Sequence, residues 1–225
     1  NGISDVYKVD AEFFSRAGVL QVDTIDGLFQ GLEVLARSRP LYHRNLAIVS
    51  NGLGTAMLAR QYLLKNQGEL APPPSAKLIQ TQTWFHSETG GNPAVLPPQS
   101  SGEDYVACLK ALETEPGLGA ILVIHSPNRR SVSADLAPAL LKYIKRSRRL
   151  VLTCFLGGLT TQSARQAFDS AGLLNFDSPT EGVNAYLTLS RHAHAQERLR
   201  ETPSTDALEF QPDQDQAERV IAQAR

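Results

Sequence analysis

A short glycine-containing turn is the part of this chain that best suits an anion. The turn comprises Ser50, Asn51, Gly52, Gly54, Thr55 and Ala56, between an apolar run and a helix predicted to begin near Thr55. Its glycines let the backbone approach a ligand closely, and a helix start offers free N–H groups at a positive dipole end. Phosphate is the expected ligand, although a tight turn that binds nothing has the same spacing. The turn lacks a Walker lysine, so we do not expect an autonomous nucleotide-binding loop.

A second glycine turn lies within a long loop rich in Pro, Gly, Ser and Thr. Gly91, Asn92 and Pro93 follow Gly90 there. Successive backbone amides in such a run can form an anion-binding concavity, or they can form a turn and nothing more. We therefore consider Gly91, Asn92 and Pro93 as phosphate-binding candidates, with a plain turn as the alternative.

Two more turns follow strongly apolar runs. His125 and Ser126 come after residues 120–124, and His125 is either a general acid or base at a ligand edge or a packed histidine. Gly157 and Gly158 come after residues 150–155 and are predicted to form a close-approach turn. We place all four residues at a ligand edge and assign no catalytic residue and no metal site.

Strand-like and helix-like segments alternate along residues 44–198. This alternation predicts a flavodoxin-like, doubly wound parallel sheet in three α/β/α layers. In such sheets ligands bind beyond the carboxyl ends of the strands, which is where the turns after residues 49, 124 and 155 fall. Strands are predicted at 46–49, 120–124, 150–155 and 173–176, and helices at 55–65, 76–80, 103–112, 133–147, 160–171 and 179–198.

The two ends of the chain have a different character. Residues 13–17 have helical spacing, residues 19–22 are predicted as a short strand, and Thr24 is predicted to cap an amphipathic helix that Pro40 ends. Beyond residue 198 the polar tail contains two prolines. We predict that residues 199–225 form a linker.

Composition narrows the classes of function. The chain has 225 residues, of which 42% are hydrophobic and 20% charged. Because its formal net charge is −1, we expect no electrostatic binding to nucleic acid or to an anionic membrane. No apolar run is long enough to span a bilayer, and no signal peptide is visible. Cys108 and Cys154 are predicted to be buried thiols of a cytoplasmic protein, since a disulfide or metal pair is the less favoured interpretation.

Six motifs in order resemble the NDP-forming acyl-CoA synthetases, relatives of succinyl-CoA synthetase. The resemblance covers nearly the whole chain apart from the tail. It rests on residues 14–22 (FSRAGVLQV), 45–54 (NLAIVSNGLG), 91–93 (GNP), 120–127 (AILVIHSP), 178–182 (SPTEG) and 196–203 (QERLRETP). Within the family, residues 123–127 and 198–203 most resemble the bacterial protein lysine acetyltransferases, which fuse a synthetase-like region to a GNAT domain.

The resemblance implies a domain of a larger protein. Residues 1–40 are then the tail of a preceding succinyl-CoA ligase-like domain, residues 44–198 are the flavodoxin-like ligase-CoA domain, and residues 199–225 lead towards an ATP-grasp module. Partners in the parent are that preceding domain, a CoA-binding domain, and the ATP-grasp and GNAT domains, and homo-oligomerisation is left open. The resemblance implies no cofactor in this chain, and CoA or acetyl-CoA with ATP or ADP for the parent.

Three hypotheses follow for function. The first is a regulatory or assembly domain of an acetyl-CoA-dependent lysine acetyltransferase, inactive by itself. The second is a domain of an active ADP-forming acyl-CoA synthetase, and the third a free-standing flavodoxin-like binding module. The first is favoured by two departures from the family pattern: Ala94-Val95 stands where Val-Asp is usual, and Leu53-Gly54 where Gly-Pro is common.

Overall fold

Five parallel strands form the centre of the molecule. The computed structural model describes residue 14 and residues 17–22, 24–86, 89–129 and 131–200. The strands are β1 (Leu46–Ser50), β2 (Ala94–Val95), β3 (Ala120–His125), β4 (Leu150–Phe155) and β5 (Asn175–Phe176). The helices are α1 (Ile25–Arg37), α2 (Leu53–Lys65), α3 (Ala76–Thr81), α4 (Gly102–Glu113), α5 (Ser133–Ile144), α6 (Gln162–Ser170) and α7 (Pro179–Arg200), with a 3₁₀ turn at Leu159–Thr161.

The strand order is β2-β1-β3-β4-β5, and every pairing is parallel. This is the flavodoxin-like order, so the predicted fold class is confirmed. The order reverses direction between β1 and β3, whose registers pair Leu46 with Ala120 and Ser50 with Ile124. In doubly wound sheets the crevice at such a switch point is the usual ligand position.

Alternating side chains divide the core into two layers. Val49, Ile121 and Val123 face α4, α5 and α6, whereas Ile48 and Leu122 face α1, α2 and α7. All five side chains are fully buried. Burial of each contributes about 1.5–3 kcal/mol of stability, which explains why both faces of the sheet need a helix layer.

Several element boundaries differ from the sequence prediction. The helix predicted from Thr55 begins at Leu53, and the long loop contains β2, which the sequence did not reveal. Residues 19–22 belong to no helix or strand, so the strand predicted there is wrong. The helix predicted for residues 13–17 and the linker at 199–225 fall largely outside the described residues.

Helix α1 leaves a row of apolar side chains on the surface. Thr24 caps the helix by accepting the Gly27 N–H at 2.9 Å, and Val34 packs into the core shared with α7. On its outer side lie four large residues at i, i+3, i+4 and i+7 spacing. This α1 stripe consists of Ile25, Leu28, Phe29 and Leu32, with exposed fractions of 47–74%.

The segment before α1 returns to the end of α7. Gly18 has a φ of +72°, and a side chain at this position would collide with that of Leu199. The two ends of the described part of the chain therefore lie side by side. None of the helices in the described part of the chain combines the length and the apolar character that crossing a bilayer requires.

Candidate functional site

The start of α2 lies at the switch point of the sheet. Gly52 is its N-cap residue, with extended backbone angles of φ −136° and ψ 117°, and no side chain of the described residues caps the helix. Ala56 is the first residue whose N–H bonds within the helix, to Gly52 O at 3.1 Å. The amides of Leu53, Gly54 and Thr55 precede it and point out of the helix start, as the first amides of any helix do.

Gly52 is needed because two hydroxyls approach its backbone. A Cβ at this position would lie 2.9 Å from Thr55 Oγ1 and 3.2 Å from Ser126 Oγ. The Gly52 N–H donates to Ser50 Oγ at 3.1 Å, and Thr55 Oγ1 lies 3.1 Å from Ser50 Oγ and 3.5 Å from Ser126 Oγ. These contacts hold the turn in one shape without a charged side chain. We call the start of α2 with these hydroxyls the helix mouth.

Asn51 holds the helix mouth in position through its side-chain amide. Its side chain is 4% exposed, accepts the Ser126 N–H at 2.8 Å, and donates to Ser126 O at 2.9 Å and to Pro98 O at 3.2 Å. The amide group therefore ties the carboxyl ends of β1 and β3 to the loop after β2. Asn51 was predicted to bind phosphate, but its side chain is occupied by backbone groups.

Asn92 lies away from the helix mouth. Its Oδ1 accepts the Ile48 N–H at 3.0 Å, and its Nδ2 donates to Leu46 O at 3.0 Å and Ala71 O at 3.4 Å. The parallel register of β1 and β2 places Asn92 about three residues, roughly 10 Å, before the carboxyl end of β1. Gly91, Asn92 and Pro93 were considered as phosphate-binding candidates, but the Asn92 side chain extends the pairing of β1 instead.

The neighbour of the helix mouth is the 96–101 loop, which sequence reasoning missed. The Leu96 N–H donates to Ser50 O at 2.8 Å, and Pro98 O accepts from Asn51 and Asn128. Just before this loop, Val95 pairs with Ser50 at the edge of the sheet. Val95, which stands where the pattern of the acyl-CoA synthetases usually has an Asp, is thus half-buried beside the mouth.

His125 does not face a ligand edge. The side chain is fully buried, with Nδ1 3.5 Å from Tyr105 Oη and the ring centroid 5.4 Å from that of Phe155. Burial lowers its pKa to about 4, against an opposing contribution from the Ser131 backbone. Within the described residues Nε2 has no hydrogen-bond partner. Of the predicted pair, only Ser126 reaches the mouth, so the general acid or base alternative is not supported for His125.

The Gly157-Gly158 turn closes the other side of the switch-point edge. Gly157 has a φ of +107°, and a Cβ there would lie 3.4 Å from Pro127 Cγ. Arg165, which sequence reasoning also missed, donates to Phe155 O at 2.7 Å and pairs with Asp177. These groups fix the turn after β4, and the Arg165 cation is already neutralised by that pairing.

The described residues show no alternative chemistry based on metals or thiols. They contain no group of three or more His, Cys, Asp or Glu side chains that could hold a metal ion. Cys108 and Cys154 are buried and free, and burial raises the pKa of Cys154 to about 12, so this thiol stays protonated.

Comparisons with known proteins bear on this geometry. An ADP-forming acetate–CoA ligase I of Archaeoglobus fulgidus is 23% identical over 222 residues, which are 96% of this chain and 30% of that protein. The alpha subunit of an ADP-forming acetate–CoA ligase II of Pyrococcus furiosus is 21% identical over 192 residues, 83% of this chain and 42% of the subunit. The chain is homologous to domains of ADP-forming acetyl-CoA synthetases. No family model matches it.

Solved structures agree with this homology in fold. The apo form of the dinucleotide-forming acetyl-coenzyme A synthetase 1 of Ca. Korarchaeum cryptofilum superposes with a TM-score of 0.75 at 16% identity, over 85% of this chain and 43% of that one. The same synthetase in complex with phosphate and ADP gives 0.74 at 18% identity. This chain spans less than half the length of each of these proteins. The homology favours the synthetase-domain hypothesis and provides no support for the acetyltransferase one.

Proposed function

We propose that this chain is the flavodoxin-like domain of an ADP-forming acyl-CoA synthetase, in which the helix mouth stabilises a phosphoryl group. The parent reaction would convert acyl-CoA, ADP and phosphate to the acid, CoA and ATP. The observation that carries the proposal is the uncapped start of α2 at the switch point, where the amides of Leu53, Gly54 and Thr55 point outward. The Korarchaeum synthetase, whose fold this chain shares, is known with phosphate and ADP bound.

The residues at the mouth fit a phosphoryl group in three respects. The amides supply donors at the positive end of a 13-residue helix, the Thr55 and Ser126 hydroxyls lie beside them, and Gly52 lets both hydroxyls approach the backbone. Gly54 is exposed in the first turn, with open space around it. Backbone dipoles thus provide the attraction, since Val95 and Leu53 contribute no charge.

The α1 stripe supports a role beside another module. Four exposed apolar side chains lie together on one helix face, and a contiguous apolar patch is typical of an interaction surface. The homologous ligases are more than twice as long as the part this chain matches. We propose that the stripe packs against the module that precedes this domain in the parent, and that this domain alone catalyses no acyl-CoA synthesis.

One observation favours the acetyltransferase alternative. Val95 occupies the position beside Ser50 where the synthetase pattern has a carboxylate, so a charged group is missing from the edge of the sheet. A regulatory synthetase-like domain would not need that group. Formation of ATP from acetyl-CoA, ADP and phosphate by the full parent protein would decide for the synthetase, and acetyl transfer to protein lysines without ATP formation would decide for the alternative.

A proline at position 53 tests the helix mouth directly. Proline suits the first position of a helix, and Gly52 already has the extended backbone that proline requires of its predecessor. Leu53→Pro therefore removes one outward amide donor while keeping the fold. We expect inorganic phosphate to bind about tenfold more weakly to this variant, the loss of one hydrogen bond to a charged group.

The control is Leu53→Ala, which loses the same exposed side chain but keeps the amide. Phosphate affinity can be measured by chemical-shift titration, with thermal melts to establish that both variants fold. Equal phosphate affinity in the two variants would contradict the assignment of the mouth as the phosphoryl site.

A further inference from the structure

The amino ends of the strands, opposite the helix mouth, lie beside a group of cations that have no acidic partner among the described residues. Four exposed side chains lie at the end of α5 and before β4: Lys142, Lys145, Arg146 and Arg148. None of these four forms an ion pair with a described Asp or Glu within 4.0 Å. The carboxyl end of α5 attracts cations in its last turn, which accounts for Lys142 and Lys145 but not for Arg148. We call these four residues the basic edge.

A groove runs from the basic edge between α4 and α5. Its volume is about 620 Å³; Val106, Ala107 and Ala139 line its apolar part, and Lys110, Lys142 and Arg146 line it as well. Two acids also line it, Glu103 and Glu113, of which Glu113 accepts a hydrogen bond from Ser147. The groove thus combines apolar surface with an excess of positive charge, which suits an acidic segment that also carries apolar side chains.

The described chain ends next to this surface. Helix α7 ends at Arg200, which lines a groove together with Arg39 and Gln196. Arg39 in turn donates from Nη2 to Lys145 O at 3.1 Å. Arg200, the last described residue, therefore lies on the side of the fold that carries the basic edge.

The sequence after Arg200 has the complementary charge. Residues 201–225 contain six acidic and two basic residues, a net charge of −4 against −1 for the whole chain. All six acids fall within residues 201–218, and Leu208 and Phe210 lie among them. Six residues can span up to about 20 Å, which is the reach available between Arg200 and residue 206.

We propose that the acidic segment 206–218 of this chain docks on the basic edge. Its carboxylates neutralise Lys142, Lys145, Arg146 and Arg148, and Leu208 and Phe210 cover the apolar part of the groove. This inference is independent of the phosphoryl site, because it concerns the amino ends of the strands, whereas the helix mouth lies at their carboxyl ends.

Lysine acylation in the 225-residue chain tests the docking. The probe is an N-hydroxysuccinimide ester of acetic acid, with the rate at each lysine read by mass spectrometry. At low salt we expect Lys142 and Lys145 to react about threefold more slowly than in a variant carrying Asp206→Asn, Glu209→Gln, Asp213→Asn, Asp215→Asn and Glu218→Gln. Lys77, exposed on α3, is the internal reference and should react equally in both.

Salt and concentration provide the remaining controls. Raising the salt to about 0.5 M should abolish the protection in the native chain, because surface charges are then screened within a few ångströms. Equal rates at Lys142 and Lys145 in the native chain and the neutralised variant would overturn the proposal. Protection that grows with protein concentration would also overturn it, since a second copy would then supply the segment.

Discussion

Replacing Asn92 by alanine is expected to lower the free energy of unfolding by about 3 kcal/mol while leaving the phosphate affinity of the folded chain unchanged. The side chain satisfies Ile48 N–H, Leu46 O and Ala71 O, all of them buried. Without it, the Ile48 N–H and Ala71 O lose this partner in a place that excludes water, whereas Leu46 O keeps the Ala71 N–H at 2.9 Å. Each unsatisfied group costs about 1–3 kcal/mol, and the weakest of the three bonds contributes least. Urea denaturation measures the loss.

Asn66→Ala is the matched control for Asn92→Ala. Asn66 is an exposed asparagine whose Nδ2 donates to Tyr62 O at 2.8 Å, so water can replace that bond and the cost should stay below about 1 kcal/mol. The opposite pattern, a stable Asn92→Ala chain with weakened phosphate binding, would return Asn92 to the ligand site.

Acidification is expected to destabilise the chain by about 3 kcal/mol through His125 alone. The unfolded histidine takes up a proton near pH 6.5, whereas the folded one does so only at a pKa of about 4 because its ring is buried. Between these two values the unfolded state binds more protons than the folded state. The contribution of neutral His125 to the free energy of unfolding is therefore present in full above pH 6.5 and is lost as the pH drops towards 4.

His125→Gln separates this effect from that of other groups. Glutamine is polar and of similar size but does not titrate, so the variant should lack the loss of stability between pH 6.5 and 4. Thermal unfolding of both chains across this range is the measurement. Parallel stability profiles would show that His125 does not control the acid response.

The burial of His125 was predictable from the period of its strand, although the turn after it suggested otherwise. Side chains alternate along a strand, and His125 shares a face with Ile121 and Val123, both fully buried. The start of α2 was placed two residues late because Gly54 is a poor helix former, yet it lies in the first turn. Local helix and turn propensities therefore predict neither the burial of His125 nor the first residue of α2.

Other features depend on contacts that no local pattern encodes. β2 is two residues long and is positioned by the pairing of Val95 with Ser50 and by the bonds of Asn92 to β1. Residues 19–22 have strand-forming side chains but pair with no strand of the described chain. By contrast, β3 and β4 were evident, since strands covered on both faces are apolar throughout.

The contact between Gly18 and Leu199 has an evolutionary consequence. A unit whose entry and exit points touch can be inserted into a host polypeptide, or permuted within it, without stretching the flanking chain. Matches of 222 and 192 residues of this chain correspond to 30% of one ligase chain and 42% of another. Transfer of such a domain between longer genes would place it in proteins of different length.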